Sequence, residues 1–390
     1  MKILTFSTLF PNAEKPGHGI FVETRLRHLI ASGKVEARVV APVPWFPSQH
    51  RMFGQYARQA RVPRREVRHG IAVEHPPYLV LPKIGMNVAP ALLYQSAKGT
   101  IARMIDEGYD FDLIDAHYFY PDGVAAAMLA RYFNKPFVIT ARGSDVTLFP
   151  RFALPRRMIH WAASRADGII TVCNALRDEV VGLGIDPARV TPLRNGVDLQ
   201  LFRPPERSQA RPFTLVTVGH LVPVKAQELI IGALPLLPGV RLVIAGDGPN
   251  RAMLENLTRE LALEDRVTFL GAVSQQQLRV EYGNADAMVL ASSREGWANV
   301  LLESMACGTP VVASRVYGTP EVVAAPEAGV LMHERTPEGV AEGVNRLRAN
   351  YPERAAVRRY AERFSWDDTT AGQLRLFRSI LKQDAALALA

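Results

Sequence analysis

Ser293-Arg294-Glu295-Gly296-Trp297-Ala298-Asn299-Val300-Leu301-Leu302-Glu303-Ser304-Met305-Ala306-Cys307-Gly308-Thr309-Pro310 follows the apolar run Ala287-Met288-Val289-Leu290, so a strand gives way here to a helix. A helix over residues 298–307 places Glu303 one turn in and leaves Glu295 on the loop at the carboxyl end of the strand. Both carboxylates then flank one helix amino terminus, whose first-turn N–H groups lack internal partners and carry partial positive charge. Such an end accepts an anion, and it lies beyond the strand ends, where open α/β sheets take ligands. Two Glu at this spacing are, taken alone, more often a solvated helix residue and a loop charge. The residues around them decide the reading.

Outward from this stretch, apolar strands alternate with helical segments along the whole chain. Strands near 2–8, 36–41, 111–116, 136–140, 168–172 and 189–193 are separated by helices near 20–32, 88–107, 121–133, 155–166 and 174–183. Phe213-Thr214-Leu215-Val216-Thr217-Val218-Gly219 restarts the scheme, which continues through strands near 240–245, 266–270, 286–290, 310–313 and 328–332. Such alternation predicts parallel sheets covered on both faces, in two α/β halves. Phe202-Arg203-Pro204-Pro205-Glu206-Arg207-Ser208, proline-rich and polar, is the linker candidate. Domains are accordingly expected over 1–203 and 204–365, with a closing helix over 366–390.

The 390 residues suffice for two or three domains at about 150 residues each. Cys173 and Cys307, the only cysteines, lie in apolar contexts without metal-ligand spacing and read as buried thiols in a reducing compartment. The apolar run at Met1–Phe10 is short and reads as a first strand rather than a signal peptide, and no run approaches the roughly 20 residues that span a bilayer. The net charge of +8 is uneven: residues 1–203 hold 26 Lys and Arg against 17 Asp and Glu, the remainder 20 against 21. Arg51, Arg58, Arg61, Arg64, Arg65 and Arg68, with Trp45, Phe46, Met52, Phe53 and Tyr56, form a segment that suits an anionic lipid surface, or a solvated loop whose arginines pair with nearby acids. No nucleic-acid recognition module is visible.

Nearly the whole chain resembles the retaining glycosyltransferases of family 4, and the strongest block is Glu295 to Pro310, similar to that family's E-x7-E segment. The resemblance implies the GT-B architecture, an α/β fold of two doubly wound Rossmann-like domains with parallel sheets facing an interdomain cleft. It implies that Glu295 contacts a donor sugar, that Glu303 binds the ribose hydroxyls, and that the backbone of Gly296, Trp297, Ala298, Asn299 and Val300 holds the distal phosphate. A carboxylate suits the ribose, since its two oxygens accept from adjacent hydroxyls. Pro16-Gly17-His18-Gly19-Ile20 resembles the family's glycine-rich loop, placing Gly17 and Gly19 near the donor. His117, after Leu113-Ile114-Asp115-Ala116, resembles the active-site histidine, a group able to accept or donate a proton near neutral pH. Arg142-Gly143-Ser144-Asp145 and the turn Arg194-Asn195-Gly196-Val197-Asp198 put Arg142, Asp145 and Asn195 on the acceptor side, with Asp145 expected to face the cleft. Gly219-His220-Leu221-Val222-Pro223-Val224-Lys225 resembles Gly-Arg-Leu-x-x-x-Lys, where Arg and Lys grip the donor diphosphate. Lys225 matches, whereas His220 replaces the Arg with an imidazole only partly protonated near pH 7; either a bound diphosphate favours its protonated form, or another cation such as Arg294 compensates, or affinity is reduced. Gly246-Asp247-Gly248-Pro249 matches a family turn, and Val273 falls beside the base.

The expected activity is therefore transfer of a sugar from a UDP- or GDP-linked donor to a glycan or lipid-linked acceptor, with retention, in cell-surface polysaccharide synthesis. His117, Glu295 and Lys225 are its catalytic candidates, no metal or other cofactor is expected, and the location is cytoplasmic or peripheral on the cytoplasmic membrane face. Asp110-Phe111-Asp112 spells a cation site but precedes its strand, at the wrong end of the sheet. A nucleotide- or glycan-binding assembly protein with weak turnover is the alternative from another class, supported by His220. A nicotinamide dehydrogenase would want a Gly-x-Gly-x-x-Gly after a strand, which the chain lacks.

Overall fold

Runs of Val, Ile, Leu and Ala that are apolar on both faces pair as buried parallel strands, and the computed structural model, which describes residues 1–81, 85–205 and 212–388, assembles them into two large sheets. They lie in two compact units, Met1–Leu193 with Asp367–Ala390 and Arg194–Trp366.

In the first unit the strand order is Val190–Pro192, Gly168–Thr171, Phe137–Ala141, Leu113–His117, Lys2–Phe6, Glu36–Val40, Ile71–Glu74, Arg65–Arg68. Neighbours pair parallel except the last two, which form an antiparallel edge. That edge corrects the expectation of a wholly parallel sheet. Arg65-Glu66-Val67-Arg68 is too charged to read as a strand, and charge of this kind is how an edge avoids pairing with another chain. A short parallel pair, Val43–Pro44 with Pro77–Tyr78, also lay hidden in the basic segment. The order reverses between Lys2–Phe6 and Leu113–His117, so the loops after Phe6 and His117 flank the crevice that such a switch point opens.

One face of this sheet is covered by the helix Ile20–Ala31 and the terminal helix Trp366–Ala388: Ile3, Val39, Leu113, Val138 and Ile170 form a core with Val22, Leu26, Leu374, Phe377 and Ile380. Toward the carboxyl ends the same face turns polar. Thr5 is in register with Asp115, and His117 with Thr140, and alternation puts all four on the face that buries Ile3, Leu113 and Val138.

The second unit has six parallel strands in the order Val267–Gly271, Arg241–Ala245, Thr214–Val218, Ala287–Leu290, Val311–Ala313, Gly329–Leu331. Its switch point lies between Thr214–Val218 and Ala287–Leu290, which brings the loops at Gly219–Lys225 and Ser292–Ala298 side by side.

The boundary at Leu193/Arg194 differs from the expected one at 203/204. Residues 194–203 belong with the second unit because Arg358 donates to the carbonyls of Leu199 and Phe202, and Val197 N–H donates to Phe364. Residues 206–208 of the linker candidate lie outside the described residues.

Phe377 is fully buried among first-unit residues although it follows the second unit in the chain. Phe377→Ala should therefore cost about 3–5 kcal/mol in the first unit's urea transition. A loss below roughly 1 kcal/mol would contradict its place in that core.

Candidate functional site

Lys225 and Glu295 are 70 residues apart, yet Lys225 Nζ and Glu295 Oε1 are 2.5 Å apart. Backbone geometry sets the pair: Ser293 N–H donates to Val224 O at 2.8 Å, which fastens the Pro223–Lys225 turn to the loop after Ala287–Leu290. The Gly246-Asp247-Gly248-Pro249 turn packs against the loop from Gly219 to Leu221, which leads into Pro223–Lys225. A Cβ on Gly246 would sit 1.9 Å from Gly219 O, and one on Gly248 would sit 2.4 Å from Leu221 O, so both glycines permit backbone contact. Asp247 O accepts from Leu221 N–H at 3.0 Å.

Beside the pair begins the helix Asn299–Ala306, preceded by Ala298 with no side-chain cap. Two other helices of the unit are capped by their own side chains, Ser274 Oγ accepting from Gln277 N–H and Thr336 Oγ1 from Gly339 N–H, whereas Gln227–Ala233, Arg251–Glu260, Thr319–Val322 and Arg354–Ala361 also begin uncapped, so the neighbouring Lys225 is what sets this end apart. The uncapped end carries the partial positive charge an anion needs, next to Lys225. Gly296, Trp297, Ala298, Asn299 and Val300 form the approach to this end, and Trp297 Nε1 is a buried donor with no hydrogen-bond partner. Glu303 stands one turn in, accepting from Tyr282 Oη at 3.0 Å, and burial pushes its carboxyl up to about 7 against the pull of that hydroxyl. His220 is exposed on the preceding loop, its carbonyl accepting from Gln227. Arg294 is half-buried with no hydrogen bond or ion pair among the described residues, so a cation stands beside the pair uncommitted. Val273 is half-buried two residues past the end of its strand.

The first unit presents a second polar cluster. His117 ends its strand rather than following it, and its ring is buried: Nε2–H points to Asp115 Oδ2 at 3.3 Å, and Arg142 Nη2 donates to Nδ1 at 2.6 Å. Burial pulls its pKa down to about 4, with Arg142 adding to the shift and Asp115 opposing it, so the imidazole is neutral near pH 7. With both nitrogens engaged, the ring is set up to be held in place rather than to shuttle a proton. Arg142, expected on the acceptor side, turns inward to His117, its guanidinium 5.1 Å from the Phe21 ring. Asp145 does not face outward either. Its carboxylate is fully buried and accepts from Phe119 N–H at 2.7 Å, Arg142 N–H at 3.0 Å and Gly143 N–H at 2.6 Å, a loop clasp that satisfies backbone donors. Asn195 lies in the second unit, its Nδ2 donating to Asn299 Oδ1 at 3.2 Å, beside the candidate anion site.

Gly19 precedes the helix Ile20–Ala31 with φ 65°, and a Cβ there would lie 2.4 Å from Leu9 O; Gly17 meets nothing within 4 Å. The same loop region carries a carboxylate the sequence did not single out. Asp122 is fully buried, accepting from Thr8 N–H at 2.7 Å, Thr8 Oγ1 at 2.9 Å and Ser7 Oγ at 3.3 Å. Burial pushes it up to about 7. Asp110 and Asp112 are spent locally, on Lys135 Nζ and on Lys2 N–H, both at 2.7 Å. Among the described residues no group of three or more potential metal ligands occurs.

Two sheets with reversals at their switch points, one carrying an uncapped helix end flanked by Lys225 and two carboxylates, define a GT-B-fold protein. Comparison with known proteins agrees. The family described as Glycosyltransferase Family 4 matches residues 17–201, and that described as Glycosyl transferases group 1 matches residues 200–364. D-inositol 3-phosphate glycosyltransferase of Mycobacterium tuberculosis is 31% identical over 321 residues, 74% of this chain and 66% of that protein; the Mycobacterium bovis protein matches equally. The chain thus spans about two thirds of these relatives' length. Sucrose-phosphate synthase of Thermosynechococcus elongatus superimposes with TM-score 0.81 at 20% identity, over 98% of this chain and 100% of that one. HepE of Anabaena, solved with UDP, does so with TM-score 0.71 at 21% identity, over 97% and 100%. The chain belongs to glycosyltransferase family 4.

Asp122 yields a pH prediction. A carboxyl raised from 3.8 to about 7 on folding binds protons better folded than unfolded, so its contribution is favourable at low pH and is lost as pH rises through that interval. Asp122→Asn should flatten the fall in melting temperature between about pH 4 and 7. An equal or steeper fall in the variant would contradict the assignment.

Proposed function

We propose that the protein transfers a sugar from a nucleoside diphosphate donor to a hydroxyl acceptor, with retention at the anomeric carbon, in the synthesis of a cell-surface glycan. The observation that carries this reading is the Lys225–Glu295 pair beside the uncapped helix Asn299–Ala306, with Glu303 one turn in. An ammonium and helix amides meet charge as it develops on a departing diphosphate, without reorganising at the moment of reaction. Glu295 alone would repel that anion; paired with Lys225 it is compensated and keeps a second oxygen for a sugar hydroxyl. Arg294 is a further phosphate partner, taking the place that His220 leaves weak. These cations make a resident metal unnecessary in this scheme. His117 orients the sugar as a neutral, fixed ring.

Anabaena HepE, solved with UDP-glucose, makes a UDP-linked donor the first to assay, with a GDP-linked one as the alternative. The curated relatives, named for D-inositol 3-phosphate, add a phosphorylated polyol to glycans and lipid-linked sugars as acceptor classes to assay. The binding of UDP is the first test. Ribose hydroxyls donate to an ionised Glu303, and that carboxyl titrates near 7, so affinity for UDP should weaken as pH falls from about 8 to 5.5, a loss that Glu303→Gln removes. Glu295→Ala should lower turnover of a nucleotide sugar more than affinity. Wild-type UDP affinity that stays flat with pH, together with unchanged kinetics in Glu295→Ala, would remove both roles.

We propose further that the edge carrying Arg51 and Arg58 rests on anionic lipid. Trp45, Met52, Phe53 and Tyr56 are 47%, 76%, 40% and 52% exposed there, and Leu79, Val80 and Leu81 are exposed as well. Arg61, Arg65 and Arg68 are instead committed to Glu14, Glu74 and Glu23, as the pairing alternative expected. Among the described residues no helix is long and apolar enough to cross a membrane, so attachment would be peripheral. Sedimentation with phosphatidylglycerol vesicles, and not with phosphatidylcholine vesicles, is the expected outcome; equal sedimentation with both, or none, would count against it.

A further inference from the structure

Arg25, Asp115 and Gln373 are buried polar side chains to which the proposed transfer assigns no role. Gln373 lies on the terminal helix among Leu374, Phe377 and Ile380, where an apolar residue would pack without needing partners. Both ends of its amide are instead hydrogen-bonded. Arg25 Nε donates to Gln373 Oε1 at 3.0 Å, and Gln373 Nε2 donates to Asp115 Oδ2 at 3.0 Å. His117 Nε2 lies 3.3 Å from the same Asp115 oxygen, while Arg142 Nη2 donates to His117 Nδ1.

The direction of every bond is forced. A guanidinium only donates, so Gln373 must turn its carbonyl to Arg25 and its NH2 group to Asp115. An ionised carboxylate only accepts, and Arg142 claims Nδ1, so His117 carries its proton on Nε2. Arg25 also grips the backbone at the point where the chain leaves the first unit, donating from Nη1 to Leu193 O at 3.3 Å. Gly372 lets the returning helix come close there, since a Cβ would fall 2.4 Å from Leu193 Cδ2. One guanidinium thus holds both the departing strand and the returning helix, and Gln373 passes that anchorage on to Asp115.

We infer that Gln373 is a positioning residue for His117, holding the Asp115 carboxylate on the ring's Nε2–H so that the terminal helix fixes the aim of the imidazole. Its consequence for turnover rests on the proposed transferase role of His117; its consequence for the ring does not. Without Gln373, Asp115 loses a donor that ties it in place, and Arg25 Nε becomes the competing partner for its carboxylate.

The test uses the full chain with 15N-labelled histidine. In the wild type, His117 Nε2–H should give a downfield proton resonance that exchanges slowly with water. Gln373→Met, close in size but unable to bond, should move that resonance upfield and speed its exchange at least about tenfold. Gln373→Glu keeps the acceptor for Arg25 but repels Asp115, so it should give the same change and guards against Gln373→Met failing to fold. An unmoved His117 signal in either folded variant overturns the inference, and so does a rapidly exchanging Nε2–H in the wild type. With UDP-glucose as donor, both variants should lower kcat roughly tenfold and leave KM within about twofold. A shifted ring signal in Gln373→Met with unchanged turnover in His117→Ala would uphold the positioning and sink the transferase role of His117.

Discussion

The contact between Lys225 and Glu295 governs the chemistry available to the second unit. A carboxylate next to a helix amino terminus opposes an anion there, and an ammonium favours it; held together, as the proposed function requires, they would let one small region accept a diphosphate and still offer an oxygen to a sugar hydroxyl. Neither side chain fixes the other alone. Their meeting depends on Ser293 bonding to Val224, and on Gly246 and Gly248 letting the neighbouring turn press against the loop from Gly219 to Leu221. The parallel sheet supplies the rest by ending both strands at the same edge.

The first unit solves a different problem. Its sheet face is apolar where Ile3, Leu113 and Val138 lie and polar where Thr5, Asp115, His117 and Thr140 lie, one step further along the same strands. Burying such groups is costly unless each is bonded, and here the bonding is partial: Arg25 and Gln373, from helices over that end, tie down one Asp115 oxygen, while Thr5 Oγ1, Thr140 Oγ1 and Asp115 Oδ1 have no hydrogen-bond partner among the described residues. The terminal helix is consequently more than a closing segment, since it contributes Phe377 to the core and Gln373 to the network.

Much of this was legible in the sequence because buried parallel strands are written as continuous apolar runs, and because the stretch from Ser293 to Pro310 carries a distinctive order of residues. Asp115 could have been paired with His117 from their spacing of two on one strand. Other features depend on contacts between residues far apart in the chain. Arg358 reaching Leu199 and Phe202 moves the unit boundary, and nothing near residue 200 announces it. Asp145 and Arg142 were misplaced because a charged loop after a strand usually faces solvent or ligand, whereas here the carboxylate gathers backbone N–H groups and the guanidinium turns to His117. The edge strand Arg65–Arg68 was hidden by its charge.

The most direct measurement is a crystal structure of the protein with UDP. Phosphate oxygens should lie about 3 Å from Lys225 Nζ and from backbone N–H groups between Trp297 and Val300, with ribose hydroxyls equally close to the Glu303 carboxylate. A diphosphate bound elsewhere, with Lys225 still closed on Glu295 and the helix end in contact only with solvent, would contradict that placement.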